Sequence, residues 1–416
     1  MNAFRRATRL GLLAALLLAA EARAQEWTRF RGPNGIGVSE SKGIPTTWTE
    51  KDFRWRVTIP GESHSNPVFW GDKIFLESSL PDARERLLLC LRKEDGSELW
   101  SRKVALSKNP KHNLNSFASS TPAVDKDRVY ALFADVEKYL VKAWDHAGKE
   151  LWTVNLGPFK SQHGLGTSPV VYDEHLIVAN DQDGDSFIVA LDVKTGKIAW
   201  KCPRRGVEQN TAYGTPAILE RKGEPAQILT TSFAYGISGL DARTGAILWE
   251  AHVFDKRSVS SPVVVGDLVF GSCGSGGGGN FVAAVKLGGK GDVTSSHLAY
   301  TVKGSAPYVP TMVSSGERLF WIADDAVATC IDPPTGRVIW KERVADKVAF
   351  YGSPVLIDGK IYQCSARGEM IVLAASDEFK ILARNPMGEG SHSTPCVDGD
   401  RLYLKTFTHL VCLGAK

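Results

Sequence analysis

The sequence lacks any pair of cysteines that would suggest a dithiol motif. Seven cysteines occur in the chain, with neither a C-x-x-C spacing nor two adjacent cysteines among them. An odd number leaves at least one thiol unpaired in any pairing scheme, and the sequence does not tell how the others pair. The seven are Cys90, Cys202, Cys273, Cys330, Cys364, Cys396 and Cys412.

The sequence also lacks a block of basic residues that would predict nucleic-acid binding. The formal net charge is +4 at pH 7. Most of that excess lies in the first 24 residues, which hold four arginines and one glutamate. Without them the chain is close to neutral, so we expect no nucleic-acid partner.

Long hydrophobic runs are missing as well, apart from one near the N-terminus. That run covers residues 10–20, follows an arginine-rich start and precedes Ala22-Arg23-Ala24. It is too short to span a bilayer, and its flanks are those of a cleavable secretory signal. The pattern predicts a signal peptide at 1–24 with cleavage near Ala24-Gln25. No cysteine follows the run, so a lipid anchor is not expected. We therefore predict a periplasmic or secreted protein without a transmembrane segment.

Helical periodicity of useful length is absent, and a repeated proline word takes its place. The word is a small or polar residue, then proline, then an apolar pair, and it recurs every 41 to 55 residues. The eight copies are Asn66-Pro67, Thr121-Pro122, Ser168-Pro169, Thr215-Pro216, Ser261-Pro262, Val309-Pro310, Ser353-Pro354 and Thr394-Pro395.

A second word follows most of the proline words by about thirty residues. Its clearest copies are LDVKTGKIAW at 191–200 and LDARTGAILW at 240–249. The aspartate can bond its own backbone, and the glycine supplies the positive φ that reverses the chain. A fifth repeat carries a glycine-rich substitute that ends near Tyr300, and the seventh has lost both the glycine and the tryptophan.

Together the two words divide the chain into repeats of four short strands. Each repeat reads as β runs split by polar turns, and forty-odd residues are enough for one propeller blade. We predict an all-β, eight-bladed β-propeller of four-stranded antiparallel blades at 50–416, preceded by an N-terminal extension at 25–49. The last repeat stops one strand short. Residues 53–57 should supply that strand and close the ring.

Ring closure makes neighbours of two nearly identical stretches at opposite ends of the chain. These are GESHSNP at 61–67 and GEGSHSTP at 388–395. We expect His64 and His392 to approach the central channel from adjacent blades, with Glu62 and Glu389 beside them. Such a group can bind a metal, an anion or a peptide. The alternative is that the Ser-His-Ser words only tie inner strands together.

Other residues ahead of the proline words are expected to line the same face. A ring of histidine, tyrosine, asparagine and arginine would suit an anionic or sugar-like ligand, whereas the alternative is a solvated loop rim. The candidates are Asn115, His163, Tyr213, Arg257, Tyr308 and Tyr351.

An aspartate-rich stretch and three of the cysteines admit both a functional and a structural interpretation. Asp181, Asp183 and Asp185 alternate as in a Ca²⁺ loop, yet they fall where a hairpin turn is expected, and we favour the turn. Three cysteines take the place in their repeats where others carry Ala190 or Gly239, so we interpret them as small buried residues. They are Cys90, Cys330 and Cys412.

The L-D-x-x-T-G-x-x-x-W word resembles the tryptophan-docking repeat of the pyrroloquinoline-quinone (PQQ) propellers, the quinoprotein alcohol dehydrogenase-like superfamily. The resemblance covers nearly all of 50–416, and WTRFRGPNGIG at 27–37 is similar to the N-terminal extension of exported members. It implies that each repeat tryptophan stacks on the next blade. The implied docking residues are Trp55, Trp100, Trp152, Trp200, Trp249 and Trp340.

The same resemblance leaves activity open, because the fold does not fix it. PQQ dehydrogenases carry a vicinal disulfide over the cofactor and a Ca²⁺ held by Glu and Asn near an Asp base, and this chain has no adjacent cysteines. A non-enzymatic relative is the propeller lipoprotein of the outer-membrane barrel assembly machine. We predict a monomeric, non-catalytic binding or scaffold module without cofactor, whose partner is a cell-envelope protein or a small polar ligand. The alternatives are a PQQ- and calcium-dependent oxidoreductase of alcohols or sugars, and a carbohydrate-binding propeller.

Overall fold

The structure is a computed structural model, and it describes residues 27–82, 84–206, 208 and 210–414. The predicted signal peptide at 1–24 lies outside the described residues. Eight sheets form the eight blades of an all-β propeller, as predicted. Within the described part of the chain the only α-helix, α1 (Thr294–His297), has four residues. None of the helices described is long and apolar enough to cross a membrane.

The strands are short and follow the predicted repeat. Two precede the first complete blade: β1 (Val38–Ser39) and β2 (Phe53–Thr58). Blade one comprises β3 (Val68–Trp70), β4 (Lys73–Ser79), β5 (Glu85–Arg92) and β6 (Glu98–Ala105). Blade two comprises β7 (Ala123–Val124), β8 (Arg128–Ala134), β9 (Tyr139–Asp145) and β10 (Glu150–Asn155). Blade three comprises β11 (Val170–Tyr172), β12 (His175–Asn180), β13 (Ser186–Asp192) and β14 (Ile198–Arg204). Blade four comprises β15 (Ala217–Leu219), β16 (Gln227–Ser232), β17 (Gly236–Asp241) and β18 (Ile247–Ala251).

The second half of the ring repeats this order, with two additions at sheet edges. Blade five comprises β19 (Val263–Val265), β20 (Leu268–Cys273), β21 (Phe281–Lys286) and, after β22 (Gly291–Asp292), β23 (Leu298–Lys303). Blade six comprises β24 (Val313–Ser314), β25 (Leu319–Ile322), β26 (Val327–Ile331) and β27 (Val338–Arg343). Blade seven comprises β28 (Val355–Ile357), β29 (Lys360–Cys364), β30 (Glu369–Ala374) and β31 (Ile381–Pro386). Blade eight comprises β32 (Cys396–Asp398), β33 (Arg401–Lys405) and β34 (His409–Gly414). Strand β22 joins the outer edge of blade four, and β1 joins the inner edge of blade seven, both in parallel.

Blade three shows how the sequence produces this pattern. Strands β11 and β12 are joined by a two-residue turn at Asp173, whose φ is 50°. After β13, the Asp192 carboxylate accepts the backbone N–H groups of Lys194 and Thr195, 3.1 and 2.7 Å away. Gly196 then adopts a φ of 71°. The D-x-x-T-G word is therefore a self-bonded turn that leads into the outer strand, as its chemistry predicts.

The ring closes through β2, which supplies the missing strand of the last blade. Strand β2 pairs antiparallel with β34, placing Trp55 opposite Cys412 and Arg56 opposite Val411. The sheet order in blade eight is β2-β34-β33-β32. The predicted closure by an N-terminal strand is confirmed, and it leaves blade eight with the same four strands as the other blades.

The hydrophobic core is divided among the junctions between blades. Seven clusters of buried residues are present, and six of them draw on two neighbouring blades. The remaining cluster joins blades seven, eight and one, and includes Trp27 and Trp48 from the N-terminal extension. Because each sheet buries both faces against its neighbours, the inner strands read as continuous apolar runs.

Four of the six predicted docking tryptophans lie on a turn glycine of the next blade. A Cβ built on Gly96, Gly148, Gly196 or Gly245 would come within 2.9 Å of a ring atom of such a tryptophan, so only glycine fits there. The four tryptophans, in the same order, are Trp55, Trp100, Trp152 and Trp200. In the fifth repeat Tyr300 takes this role and lies on Gly336.

The two other docking tryptophans adapt to repeats that have lost the glycine word. Trp340 donates its indole N–H to the Ser376 carbonyl oxygen at 2.9 Å and meets Phe379 edge-on. Trp249 instead bonds within its own blade, donating to Gln227 Oε1 at 2.9 Å. It packs on Gly239 of that blade, fully buried among residues of blades four and five. The glycines after β21 in blade five, Gly288 and Gly289, do not lie against Trp249.

All seven cysteines are free thiols. Six are buried, and Cys202 is partly exposed. Cys90, Cys330 and Cys412 lie opposite Trp100, Trp340 and Trp55 in the strand register. A small side chain at that place leaves room for the indole, which is the structural role the repeat alignment predicts.

Candidate functional site

A closed belt of hydrogen bonds surrounds the central channel where the inner strands begin. Each backbone N–H of the belt donates to a side-chain oxygen on the next blade, at 2.7 to 3.2 Å, and the eighth bond returns to the first blade. The members are Asn66, Thr121, Ser168, Thr215, Ser261, Thr311, Ser353 and Thr394. The repeated polar residue before proline therefore links neighbouring blades.

Blade six corrects the sequence alignment of the proline words. We predicted Val309-Pro310 for this blade, but the belt residue is Thr311, and Met312 stands where the other blades have proline. The belt needs a side-chain oxygen that accepts a hydrogen bond, and valine has none. The Val309 N–H instead donates to the Asp324 carboxylate at 3.2 Å.

The N-terminal extension runs through the channel below this belt. Its Trp27 and Thr28 carbonyl oxygens accept the N–H groups of Phe69 and Val124, at 3.0 and 2.8 Å, on the inner strands of blades one and two. Farther along, the Gly37 carbonyl oxygen accepts the Leu356 N–H of blade seven at 2.8 Å. The segment 27–39 thus pairs with inner strands whose edges would otherwise be unpaired.

Two buried arginines fix this segment to the ring. Arg31 is fully buried and donates to the carbonyl oxygens of Thr311, Met312 and Pro354 as well as to two within the segment. Arg29 donates to the Pro216 carbonyl oxygen at 2.6 Å, on blade four. Burial lowers the pKa of Arg29 to about 10 and that of Arg31 to about 9. Both remain cationic at neutral pH and are held by carbonyl dipoles.

Above the segment lies a cavity of about 960 Å³. Phe30 and seven of the eight belt residues line it, Thr121 being the exception. Since residues 27–39 occupy the channel, Phe30 forms the floor and the cavity opens at one face of the ring. The volume lies at the upper end of the range for small-molecule sites. Eight of the ten predicted channel-face residues line it: His64, Asn115, His163, Tyr213, Arg257, Tyr308, Tyr351 and His392.

One wall is built around the histidine pair from the two ends of the sequence. The His64 and His392 rings lie 4.7 Å apart, centroid to centroid, and Tyr351 meets His392 edge-on at 4.5 Å. His392 Nδ1 lies 3.2 Å from the Leu114 carbonyl oxygen, which makes Nδ1 the protonated nitrogen and leaves Nε2 as an acceptor. Burial lowers the pKa of His64 to about 3, with His392 adding to the effect. Burial also lowers the pKa of His392, so both rings are neutral at neutral pH.

The opposite wall combines a guanidinium group with a second histidine pair. Arg257 Nη1 lies 3.2 Å from the Tyr308 hydroxyl and 3.4 Å from His163 Nε2. His112 stacks on His163 at 5.1 Å. Burial, followed by the Arg257 charge, lowers the pKa of His163 to about 4. This wall therefore presents the Arg257 guanidinium group beside a neutral His163 ring and the Tyr308 hydroxyl group.

Three of the cavity residues that the sequence reasoning missed stand out by their chemistry or position. His112 lies in the long loop between blades one and two, away from any proline word, and Phe30 lies in the extension. Asp324 follows β25 and accepts the Tyr308 N–H at 2.7 Å. Burial raises the pKa of Asp324 to about 6, although this bond and that from Val309 act against it. The Asp324-Asp325 pair directly after an apolar strand was the one available signal.

The two predicted glutamates do not join the histidines. Glu62 is exposed and forms a backbone bridge with Ser79. Glu389 accepts hydrogen bonds from Thr406 and Thr408 in its own blade. Burial alone would raise the pKa of Glu389, but these bonds lower it to about 2. Neither glutamate lines the cavity, so the predicted group of two histidines and two glutamates does not form.

The aspartate-rich stretch at 180–186 does not converge on one point either. Asp181 pairs with the buried guanidinium of Arg204 at 3.0 Å, and Asp183 accepts the Thr211 hydroxyl at 2.8 Å. Asp185 contributes its backbone carbonyl oxygen to the Gln182 side chain. Across the described residues, no three His, Cys, Asp or Glu side chains are grouped so as to hold a metal ion. The stretch is a hairpin turn tied down by its neighbours, which is the interpretation we favoured.

Known structures share this architecture at low sequence identity. The structure of BamB from Moraxella catarrhalis superimposes with a TM-score of 0.61 at 16% identity, covering 86% of this chain and 98% of that chain. The quinohemoprotein alcohol dehydrogenase from Comamonas testosteroni gives 0.65 at 14% identity, covering 96% of this chain and 82% of that chain. At these identities the likeness shows the fold alone.

Sequence comparisons identify a curated relative and a matching family model. A curated relative, the tetrathionate hydrolase of Acidithiobacillus ferrooxidans, is 22% identical over 395 aligned positions, covering 83% of this chain and 73% of that protein. The family model described as outer membrane protein assembly factor BamB matches residues 90–342, more than half of the chain. The chain therefore belongs to this family of PQQ-repeat propellers.

Proposed function

We propose that this protein is an exported, non-catalytic binding propeller that holds a small polar ligand, sugar-like or anionic, in its central cavity. The observation that carries the proposal is that the cavity is closed on one side by a floor. Residues 27–39 fill the channel, and Phe30 closes the cavity from below. A cavity with one mouth retains a small ligand, whereas an open channel would offer only its rim. We place the protein in the periplasm or cell envelope, where the predicted signal peptide would direct it.

The side chains of the cavity suit a ligand with many hydroxyl groups and flat faces. Neutral histidines and tyrosines each offer a donor, an acceptor and an aromatic face. His64, His392 and Tyr351 present such faces on one wall, and Tyr213 and Tyr308 on the other. The Ser, Thr and Asn side chains of the belt add polar groups near the floor.

Arg257 adds a preference for negative charge at one side of the cavity. Its guanidinium group is positioned between Tyr308, His163 and Gln162, 3.0 to 3.4 Å from each. A planar guanidinium group held in this way can bind a carboxylate or another oxyanion with two hydrogen bonds. By its name, the curated relative acts on tetrathionate, a small anion, which agrees with an anionic group in the ligand.

The cavity does not match the PQQ and calcium site that the resemblance implies. Of its three lining carboxylates, Asp324 is held by two backbone N–H groups, Asp255 pairs with Lys256 at 3.1 Å, and Asp325 accepts the Ser305 hydroxyl at 3.2 Å. No cysteine lines the cavity within the described chain. The set of Glu, Asn and Asp ligands under a vicinal disulfide is thus not reproduced, and we propose binding without this cofactor.

A second candidate function is hydrolysis of a small anion in the same cavity. Asp324 favours it, because a partly buried carboxyl group with a pKa of about 6 is suited to exchanging a proton near neutral pH. Its bonds to the backbone of residues 308 and 309 equally suit a purely structural carboxylate.

A thermal-shift panel on the mature protein tests the proposal. The probes are maltose, glucuronate, tetrathionate, and PQQ with Ca²⁺, each applied to the wild type and to the His64→Ala/His392→Ala variant. We expect maltose, glucuronate or tetrathionate to raise the Tm of the wild type but not of the double variant. The double variant itself should lose little stability, because neither ring bonds to more than one protein group. His175→Ala, outside the cavity, is the control.

Other outcomes would contradict parts of the proposal. If none of these three compounds raises the Tm, the cavity does not bind ligands of the proposed classes. Consumption of tetrathionate by the wild type but not by Asp324→Asn would favour the hydrolase. Dye-linked oxidation of an alcohol with PQQ and Ca²⁺ would replace the binding function with the oxidoreductase. Unfolding of the double variant would show the histidines to be structural.

A further inference from the structure

We infer that Phe30 is a specificity-determining residue that sets the depth of the cavity and hence the length of the ligand it accepts. This inference rests on the proposed function, because it concerns the ligand of the same cavity. The side chain is half-buried, between two buried arginines, and it is the only residue of the extension that lines the cavity within the described chain.

The position of Phe30 is fixed from both sides. Arg29 is bonded to blade four, and Arg31 is bonded to blades six and seven. The segment between them therefore spans the channel and is held at both walls. A ligand cannot push Phe30 down without breaking buried hydrogen bonds to the arginines.

The backbone around Phe30 is also tightly packed. A Cβ on Gly32 would lie 2.5 Å from the Trp27 ring, and one on Gly37 would lie 2.5 Å from Arg31 Nη2. Both glycines have positive φ, at 68° and 72°. A segment with such close contacts has no spare room in which to shift, so the Phe30 ring is a rigid floor.

Shortening this one side chain should deepen the cavity and leave its walls unchanged. The histidine and tyrosine walls come from the segments that lead into the blades, whereas the floor comes from the extension. Phe30→Ala would open space at the level of the belt. Phe30→Leu keeps an apolar side chain there and serves as the matched variant.

A labelling experiment tests the position of Phe30 without any ligand. Phe30→Cys is made in a Cys202→Ser background, because Cys202 is the only partly exposed native thiol. The other six are buried, and burial raises the thiol pKa of each, so they should not react. Methanethiosulfonates with a methyl, a benzyl or a biotin-linked group serve as probes, and Leu114→Cys at the exposed mouth is the control.

We expect Leu114→Cys to react at similar rates with all three reagents. Phe30→Cys should react with the methyl reagent and at least about 10-fold more slowly with the biotin-linked one, because the label must descend the cavity. If a folded Phe30→Cys protein reacts with none of them, or equally with all, Phe30 is not the floor and the inference is wrong.

A series of saccharides tests the effect on specificity. Binding of glucose, maltose and maltotriose is measured by calorimetry for the wild type, Phe30→Leu and Phe30→Ala. We expect Phe30→Ala to shift the preference toward the longer sugar by roughly 10-fold or more, with Phe30→Leu close to the wild type. An unchanged preference in a protein that binds these sugars would refute the role of Phe30 and leave the proposed function intact. Failure of the wild type to bind any of them, with labelling as expected, would instead count against a sugar ligand.

Discussion

The Trp55 ring lies directly on Gly96, at the junction where the last blade of the propeller meets the first. A Cβ built on Gly96 would approach Trp55 Cε3 to 2.9 Å and Val57 Cγ1 to the same distance. Trp55 belongs to the strand that closes the ring, and Gly96 belongs to the Asp95-Gly96 turn of blade one. The contact that joins other blades thus also joins the two ends of the propeller.

Substitution of Gly96 should therefore destabilise the ring more than its backbone geometry alone predicts. Gly96 has a φ of 75°, and Gly223 has a φ of 82° with nothing within 4 Å of its built Cβ. Alanine at either place costs about 1–2 kcal/mol for the left-handed backbone. Gly96→Ala should lose at least ~1 kcal/mol more than Gly223→Ala, because it also displaces Trp55. Urea unfolding of the two variants measures the difference, and equal losses would show that the contact is not tight.

A second prediction concerns Thr121, a belt residue that does not line the cavity. Its hydroxyl oxygen accepts both the backbone N–H and the side-chain amide of Asn66, at 3.1 and 2.9 Å. Thr121→Val keeps the shape but leaves both donors buried without a partner. We expect a loss of about 1–3 kcal/mol in the free energy of unfolding, and little change for Thr121→Ser. Comparable losses in the two variants would mean that the methyl group matters and the hydroxyl does not.

The sequence was sufficient for those features that each repeat encodes locally. Asp192, Thr195 and Gly196 specify a turn by their own chemistry, and the proline words mark where inner strands begin. Counting these words gave eight blades, and the unpaired run at 53–57 gave the closure. The contact between His64 and His392 followed from the ring alone, because its closure brings the first and last repeats together.

Contacts that are not repeated from blade to blade, between residues far apart in the sequence, could not be predicted from the sequence. Arg31 bonds to carbonyl groups some 280 and 323 residues away, and no repeated pattern signals such a partner. The place of segment 27–39 in the channel, and with it the floor at Phe30, was therefore not predicted. The prediction that Glu389 lies beside the histidines was wrong for a related reason. Threonines in its own blade bind the carboxylate instead, and the spacing along the chain does not indicate this contact.

A buried carboxyl group in blade one predicts a pH-dependent stability. Glu77 is 1% exposed, and burial raises its pKa well above the usual value of 4.5. The folded state then keeps a proton that the unfolded state releases above about pH 4.5, so stability falls as the pH rises toward the folded-state pKa. Glu77→Gln removes this dependence.

The Glu77→Gln variant should match the wild type near pH 4 and exceed its free energy of unfolding by at least about 1 kcal/mol at pH 7.5. Urea unfolding at the two pH values measures the effect. Glu62→Gln, an exposed glutamate of the same blade, should show no such gain. A Glu77→Gln protein that is less stable than the wild type at pH 7.5 would show that the carboxylate is ionised and stabilised in the fold.

Arg31 should be the most sensitive residue of the extension. All of its donor nitrogens are used, and five carbonyl oxygens accept from them. Arg31→Met would leave several of these buried acceptors without a donor, and we expect a loss of at least about 3 kcal/mol, measured by urea unfolding. Arg31→Lys should restore little of the lost free energy of unfolding, because one ammonium group cannot reach the acceptors on both sides of the planar guanidinium group. The exposed Arg243→Met is the control and should change stability by less than about 0.5 kcal/mol. If Arg31→Met were as mild as this control, the extension would be a loosely held segment, and a rigid floor beneath the cavity could not be maintained.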